Sequence, residues 1–352
     1  MTNITILGAG VMGSALTIPL TDRGHVVRLV GTHLDTDIIE EIHQSRTHPK
    51  LKAHIPESAL PYPIAGLEEA LQGADLLVLG VSSPGITWAA ETLSPLLEAE
   101  IPILMLTKGL GVSGGRICTP PEILRQRLPA DKQNKVRIAA LGGPSFAREL
   151  ASRRPTGVVI AGSDPDLLAQ LKAWLQTPYY HVWTSDDMVG VEACVALKNT
   201  YALGMGIANG WLDRDGPSDI GAAMYNPAGM IFAQGLLETA TLVQHLGGRL
   251  ESVYTLPGAG DFYATCHGGR NYKLGRFIGG GLAYRQAMEE KMPGETVEGA
   301  ELLLEIGPAL ESLVERGELD GGRVPLIRCL WRILAHDAQA EFPWQLFFSE
   351  VY

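Results

Sequence analysis

Through the first half of the chain, short apolar runs alternate with longer stretches whose apolar positions recur at helical spacing. The runs at 4–7, 26–30, 76–81, 103–106, 137–141 and 157–161 are mostly continuous, as expected of strands buried on both faces of a sheet. Strand–helix alternation of this kind predicts parallel βαβ units in a doubly wound α/β sheet. Beyond about residue 187, long helical patterns take over, at 188–209, 218–246, 271–281, 296–316 and 325–338. The pattern thus predicts two domains, 1–187 built on a parallel sheet and 188–352 all helical. Between the first two helical patterns, WLDRDGPSD at 211–219 is rich in turn formers and predicts a polar surface loop.

The first predicted strand runs directly into GAGVMG, with Gly8, Gly10 and Gly13 opening a helical pattern. This spacing, in this strand–turn–helix context, is the dinucleotide-binding fingerprint. Gly8 serves the tight turn, Gly10 the close approach of a pyrophosphate, and Gly13 the packing of helix on sheet. Val11 and Met12 begin the helix, whose open amides and positive dipole end suit the phosphates. A turn that is only structural is the plainer alternative, but strand, spacing and helix all agree on the fingerprint. After the second strand the chain reads RLVGTHLDTD, so Thr32 and His33 occupy the ribose corner and the first acid is Asp35. A carboxylate at the corner favours NAD. With none there, NAD and NADP both stay open.

One charge sits inside an apolar helical stretch. In VEACVALKNTYALGMGIANG, Lys198 has Cys194, Val195, Tyr201 and Ala202 at three and four residues' distance, none of them an acid. Such an ammonium snorkels to water, finds a partner from another element, or does chemistry. Asp261, after the Gly-Ala-Gly turn of LPGAGDFYATC, is the best candidate partner. Arg270 and Asn271 open the following helical pattern and suit a phosphate, through a guanidinium fork and orphan amides. Two loops follow predicted strands on the ligand-binding edge: LTKGLG, with Thr107 and Lys108, and LGGPSFARE, with Gly142, Gly143, Ser145 and Arg148. Taken singly, each of these residues has an ordinary explanation as a solvated charge or a turn former.

Composition narrows the class. The chain has 352 residues, too many for one core, and 28 Lys+Arg against 39 Asp+Glu give a formal charge of −11. That balance argues against a nucleic-acid binder. Cys118, Cys194, Cys266 and Cys329 show no CxxC or Cys/His ligand spacing, so reduced thiols and no metal are expected. There is no secretory signal pattern and no run of eighteen apolar residues, so membrane insertion is not expected and a cytoplasmic location is.

Taken together, GAGVMGSAL, LTKGL, GGPSFARELA, GVEACVALKN, LPGAGDFYATC with RN, and TVEGAELL resemble the NAD(P)-dependent glycerol-3-phosphate dehydrogenases, in order from Gly8 to about Pro325. The resemblance implies an N-terminal Rossmann domain, a helical C-terminal domain and a homodimer. It implies reduction of dihydroxyacetone phosphate to sn-glycerol 3-phosphate with NAD or NADP as cofactor, feeding glycerophospholipid synthesis. By motif, Lys198 becomes the proton donor and acceptor, and Lys108, Gly143, Ser145, Asp261, Arg270 and Asn271 match substrate contacts. Ala147, Arg270 and Glu298 match cofactor contacts beside Gly8, Gly10, Val11, Met12, Gly13, Thr32, His33 and Lys108. The chain departs from the family at Asn226-Pro227-Ala228, where Asn-Thr-Lys is usual, at Gln234 for Arg, and at Gly269 for Ser. These departures bear on substrate identity more than on reaction type. Rivals are a dehydrogenase acting on another phosphorylated ketone or on a keto or hydroxy acid, such as a ketopantoate-type reductase, and a non-catalytic dinucleotide sensor.

Overall fold

The computed structural model describes residues 1–97, 101–216, 220, 222–349 and 351. It forms two compact units, Met1–Lys108 with Pro120–Met188, and Gly109–Thr119 with Val189–Tyr352.

The first unit is built on an eight-stranded sheet. Its order is Tyr180–Ser185, Thr156–Ala161, Ile138–Gly142, Ile103–Met105, Leu76–Leu79, Asn3–Leu7, Val26–Val30, Ala59–Tyr62. Ile4, Leu29, Val78 and Leu104 enter one core, while Leu7, Val30, Leu77 and Ile103 enter another. Two buried faces explain why these strands read as unbroken apolar runs. The sheet is mostly parallel, as expected, with one departure: Ile138–Gly142 pairs antiparallel with Thr156–Ala161. The connection between them carries only the five-residue helix Ala147–Ala151, too short to cross the sheet for a parallel return. Both outermost strands, Ala59–Tyr62 and Tyr180–Ser185, escape the apolar-run signal. Pro61 is tolerated because its strand is an edge. Tyr180 and Val182 are buried while His181 and Trp183 are exposed, the alternation of a half-buried strand.

In the second unit the helix Met188–Asp215 is joined by Tyr225–His245, Arg270–Gly279, Glu298–Glu315 and Pro325–His336. It is predominantly but not wholly helical. The hairpin Gly111–Ser113 with Arg116–Cys118 belongs to it, and Val112 N donates to Glu305 Oε1 at 3.2 Å. The loop expected from 211 is helical as far as Asp215, while Pro217, Ser218 and Asp219 lie outside the described residues. Tertiary contacts overrule the turn formers there. The Trp211 ring packs on Phe342 and Trp344, its Nε1 donates to Ala340 O at 3.0 Å, and Arg276 holds Asp213 at 2.6 Å. The next helix starts at Tyr225, so Pro227 falls in its first turn, where no intrahelical N–H bond is lost.

No helix among the described residues is long and apolar enough to cross a membrane.

Candidate active site

At the glycine turn, Gly8 has φ +114°, and a Cβ there would lie 2.6 Å from the carbonyl oxygen of Gly80 on the neighbouring strand's end. A Cβ at Gly13 would collide with the Gly8 carbonyl, so helix Val11–Asp22 seats on its strand only without one. Gly10 differs: a Cβ there meets nothing within 4 Å. Its missing side chain leaves open space before a helix whose first turn has no acid and no side-chain cap. That is the cradle a pyrophosphate requires, so the residues fit a dinucleotide.

At the ribose corner, Asp35 turns back toward this loop. Its Oδ2 accepts from Ala9 N at 3.1 Å, Thr32 N at 2.9 Å and Thr32 Oγ1 at 2.9 Å. Exposed His33 stands edge-on to Trp88, 5.0 Å between ring centres. On the same edge of the sheet, Lys108 Nζ donates to Gly143 O at 3.0 Å. Thr107 Oγ1 bonds Val81 O at 2.7 Å and Ser83 Oγ bonds Lys108 O at 3.0 Å, so the loop carrying the lysine is fixed. Gly143, at φ +111°, turns the chain toward Ser145, and Ala147 opens the short helix beyond. These residues, with the glycine turn, all belong to the first unit.

The other candidates gather in the second unit. Lys198 is 7% exposed and Asp261 1%, and the ammonium bonds the carboxylate directly. Asp261 follows the π-helical turn Leu256–Gly260 and begins helix Asp261–Cys266; a Cβ at Gly258 would strike the Val253 carbonyl, which accounts for LPGAG. Thr265 Oγ1 bonds Asp261 O at 2.7 Å. Burial pushes the neighbouring Cys266 thiol up to about 12, against the pull of the Lys198 charge, so it stays protonated at neutral pH.

A second set of bonds starts one residue further along the helix. Asn199 Nδ2 donates to Glu298 Oε2 at 3.3 Å, Asn271 Nδ2 to Asn199 Oδ1 at 3.0 Å, and Gly299 N to Asn271 Oδ1 at 2.8 Å. Arg270 Nη2 reaches Glu298 Oε1 at 3.3 Å, with its side chain 47% exposed. Asn199 thus bonds Asn271 and Glu298, and through Glu298 the set reaches Arg270, while Lys198, the residue before it on the helix, pairs with Asp261; the motifs contain Asn199 but do not mark it as a site residue. The only sequence signal for it is a second polar residue on the apolar helix, directly after the lysine. Gln234 is placed differently from the expectation attached to it. Its amide donates to Glu238 Oε1 at 2.9 Å and accepts from Phe348 N at 3.0 Å, so it is spent on packing.

An open, mostly parallel sheet with a glycine cradle at its first strand end, together with a buried lysine–aspartate pair on a helical unit, defines a nicotinamide-dinucleotide dehydrogenase. Comparison with known proteins gives the particular family. The N-terminal family model for NAD-dependent glycerol-3-phosphate dehydrogenase matches residues 3–168, and the C-terminal model matches 187–343. An NADP(+)-dependent glycerol-3-phosphate dehydrogenase of Archaeoglobus fulgidus is 37% identical over 82% of this chain and 83% of its own. A glycerol-3-phosphate dehydrogenase [NAD(P)+] of Shouchella clausii is 31% identical over 95% and 92%. The crystal structure of glycerol-3-phosphate dehydrogenase from Coxiella burnetii superposes with a TM-score of 0.80 at 28% identity, covering 96% of each chain. The chain belongs to the NAD-dependent glycerol-3-phosphate dehydrogenase family, oxidoreductases that use NAD or NADP.

Proposed function

We propose that the protein reduces dihydroxyacetone phosphate to sn-glycerol 3-phosphate, reversibly, with Lys198 as the acid. The observation that carries this is the buried Lys198–Asp261 pair, with the next residue on the helix, Asn199, bonded to Asn271 and Glu298, and Glu298 bonded to Arg270. When bound, the reduced nicotinamide supplies the hydride, and residues 1–187 carry the glycine turn and most of the cofactor's other contacts. Residues 188–352 supply the acid and the phosphate clamp. As the carbonyl oxygen gains negative charge, the Lys198 ammonium stabilises it and donates the proton. Asp261 holds that ammonium in place. Arg270 offers its exposed fork to the phosphate, and the first amides of helix Arg270–Gly279 complete the clamp. Lys108, Gly143 and Ser145 contact the substrate from the sheet edge. Ala147 and Glu298 contact the cofactor beside Gly8, Gly10, Val11, Met12, Gly13, Thr32 and His33. The product feeds glycerophospholipid synthesis in the cytoplasm, and the working form is a homodimer.

The test is consumption of NADH and of NADPH with dihydroxyacetone phosphate, for wild type and Lys198→Ala. Wild-type turnover is expected, with the variant slowed roughly 10²–10⁴-fold, the size of a lost general acid. Turnover of a 2-keto acid with none of the triose phosphate would select the keto-acid reductase reading instead.

A further inference from the structure

Neither motif nor mechanism uses His48, yet this residue reaches into the glycine turn. It lies on the small hairpin Thr47–His48 with Ala53–His54 and is fully buried. Its Nδ1 accepts from two backbone amides, Lys50 N at 3.1 Å and Leu51 N at 3.0 Å. An acceptor nitrogen carries no proton, so in the neutral ring the hydrogen sits on Nε2. That Nε2 faces Ala9 O at 3.0 Å and donates to it. Burial holds the ring below the usual histidine range, against the raising pull of Asp35 and with the lowering push of Lys50, so it stays neutral.

Ala9 O also accepts from Ser14 Oγ at 3.1 Å, so His48 is not needed merely to satisfy a buried carbonyl. From the other side, Asp35 Oδ2 takes the Ala9 N–H. Peptide units are planar. Pinning Ala9 O therefore fixes the opposite direction of the Gly10 N–H, and pinning Ala9 N fixes the Gly8 carbonyl. Gly10 is the one glycine of the three with open space before it.

We infer that His48, as the Nε2–H tautomer, is a positioning residue for the dinucleotide: with Asp35 it clamps Ala9 so that the Gly10 amide and the helix's first turn stay aimed at the pyrophosphate. This rests on the glycine turn being the dinucleotide site, so the test separates the two ideas. Kd values for NADPH and NADH are measured by fluorescence titration of the purified full chain, with a thermal melt for each variant. Gly10→Val has room to fold and fills the cradle, so it tests the site itself; unchanged binding there would overturn the site. His48→Asn keeps an acceptor for Lys50 and Leu51 but cannot reach Ala9 O. It is expected to weaken both cofactors about tenfold, the size of one lost hydrogen bond. His48→Gln places an amide N–H near the Nε2 position and is expected to recover most of that loss. Binding by a folded His48→Asn equal to wild type, with Gly10→Val impaired, would overturn the clamp alone. Should His48→Asn not fold, ¹⁵N spectra of the wild-type imidazole decide: the Nε2–H form is expected, and an Nδ1–H form overturns the inference.

Discussion

Lys198 and Asp261 hold each other's charge inside the second unit, and removing either takes the directly bonded counter-charge from the other, which is buried. The two consequences can be separated. Asp261→Asn alone is expected to lower both stability, by about 3–5 kcal/mol, and turnover. The double variant Lys198→Met with Asp261→Leu is expected to regain most of the stability, because a buried pair exchanged for apolar groups of similar volume costs little, yet to stay inactive. Thermal melts and turnover of the three proteins check this; a double variant as unstable as the single one would count against it. The lysine was legible in sequence because a charge with no acid three or four residues away, inside an apolar helical stretch, is anomalous. Its neighbours were less so. Asn199 bonds residues 72 and 99 positions away, and nothing in ALKN points to them.

At the scale of elements, glycines bring the helices of the site together. A Cβ at Gly206 would strike the Tyr272 carbonyl, one at Gly275 the Leu203 carbonyl, and one at Gly279 the Ile207 carbonyl. Helix Arg270–Gly279 thus lies backbone to backbone on the helix bearing Lys198. Gly299 does the same for helix Glu298–Glu315, 2.5 Å from the Asn199 oxygen were a Cβ added. Gly275→Ala forces the first two helices apart. It is expected to cost about 1–3 kcal/mol, as overpacking does, and to raise the KM for dihydroxyacetone phosphate by moving Arg270 and Asn271. A melt with steady-state kinetics would show it, and an unchanged KM would refute the linkage. In sequence these glycines resemble ordinary helix interruptions. Their partners lie on another helix, which is why only the assembled unit explains them.

Across the second unit as a whole, Glu238 ties three helices. Its carboxylate accepts from Leu326 N at 2.6 Å and Ile327 N at 2.8 Å at the start of Pro325–His336, from Gln234 on its own helix, and from Tyr201 on the helix bearing Lys198. Burial pushes this carboxyl from its ordinary 4.5 up to about 7, although the four donors pull it down. Between those values the folded chain keeps a proton that the unfolded chain releases. Stability from this group therefore falls as pH rises through that window. Glu238→Gln leaves one amide without its acceptor and should cost about 1–3 kcal/mol at the acid end of the window. The gap from wild type should narrow as pH rises from 4.5 to about 7 and level off above that. Denaturant unfolding from about pH 4.5 to about pH 8, which takes in that window and the plateau above it, measures it; a gap constant with pH throughout would contradict the assignment.

The sequence by itself determined the βαβ half, the glycine turn, the helical second half and the anomalous lysine, because each is written in local period or spacing. Tertiary structure decided the rest. It turned Asp35 inward onto Ala9, returned Thr156–Ala161 antiparallel, extended a helix through 211–215, gave the Gly109–Thr119 hairpin to the second unit and chose the partners of Lys198 and Asn199. Those outcomes depend on contacts between residues far apart in the chain, where one close approach or one buried charge outweighs local preference.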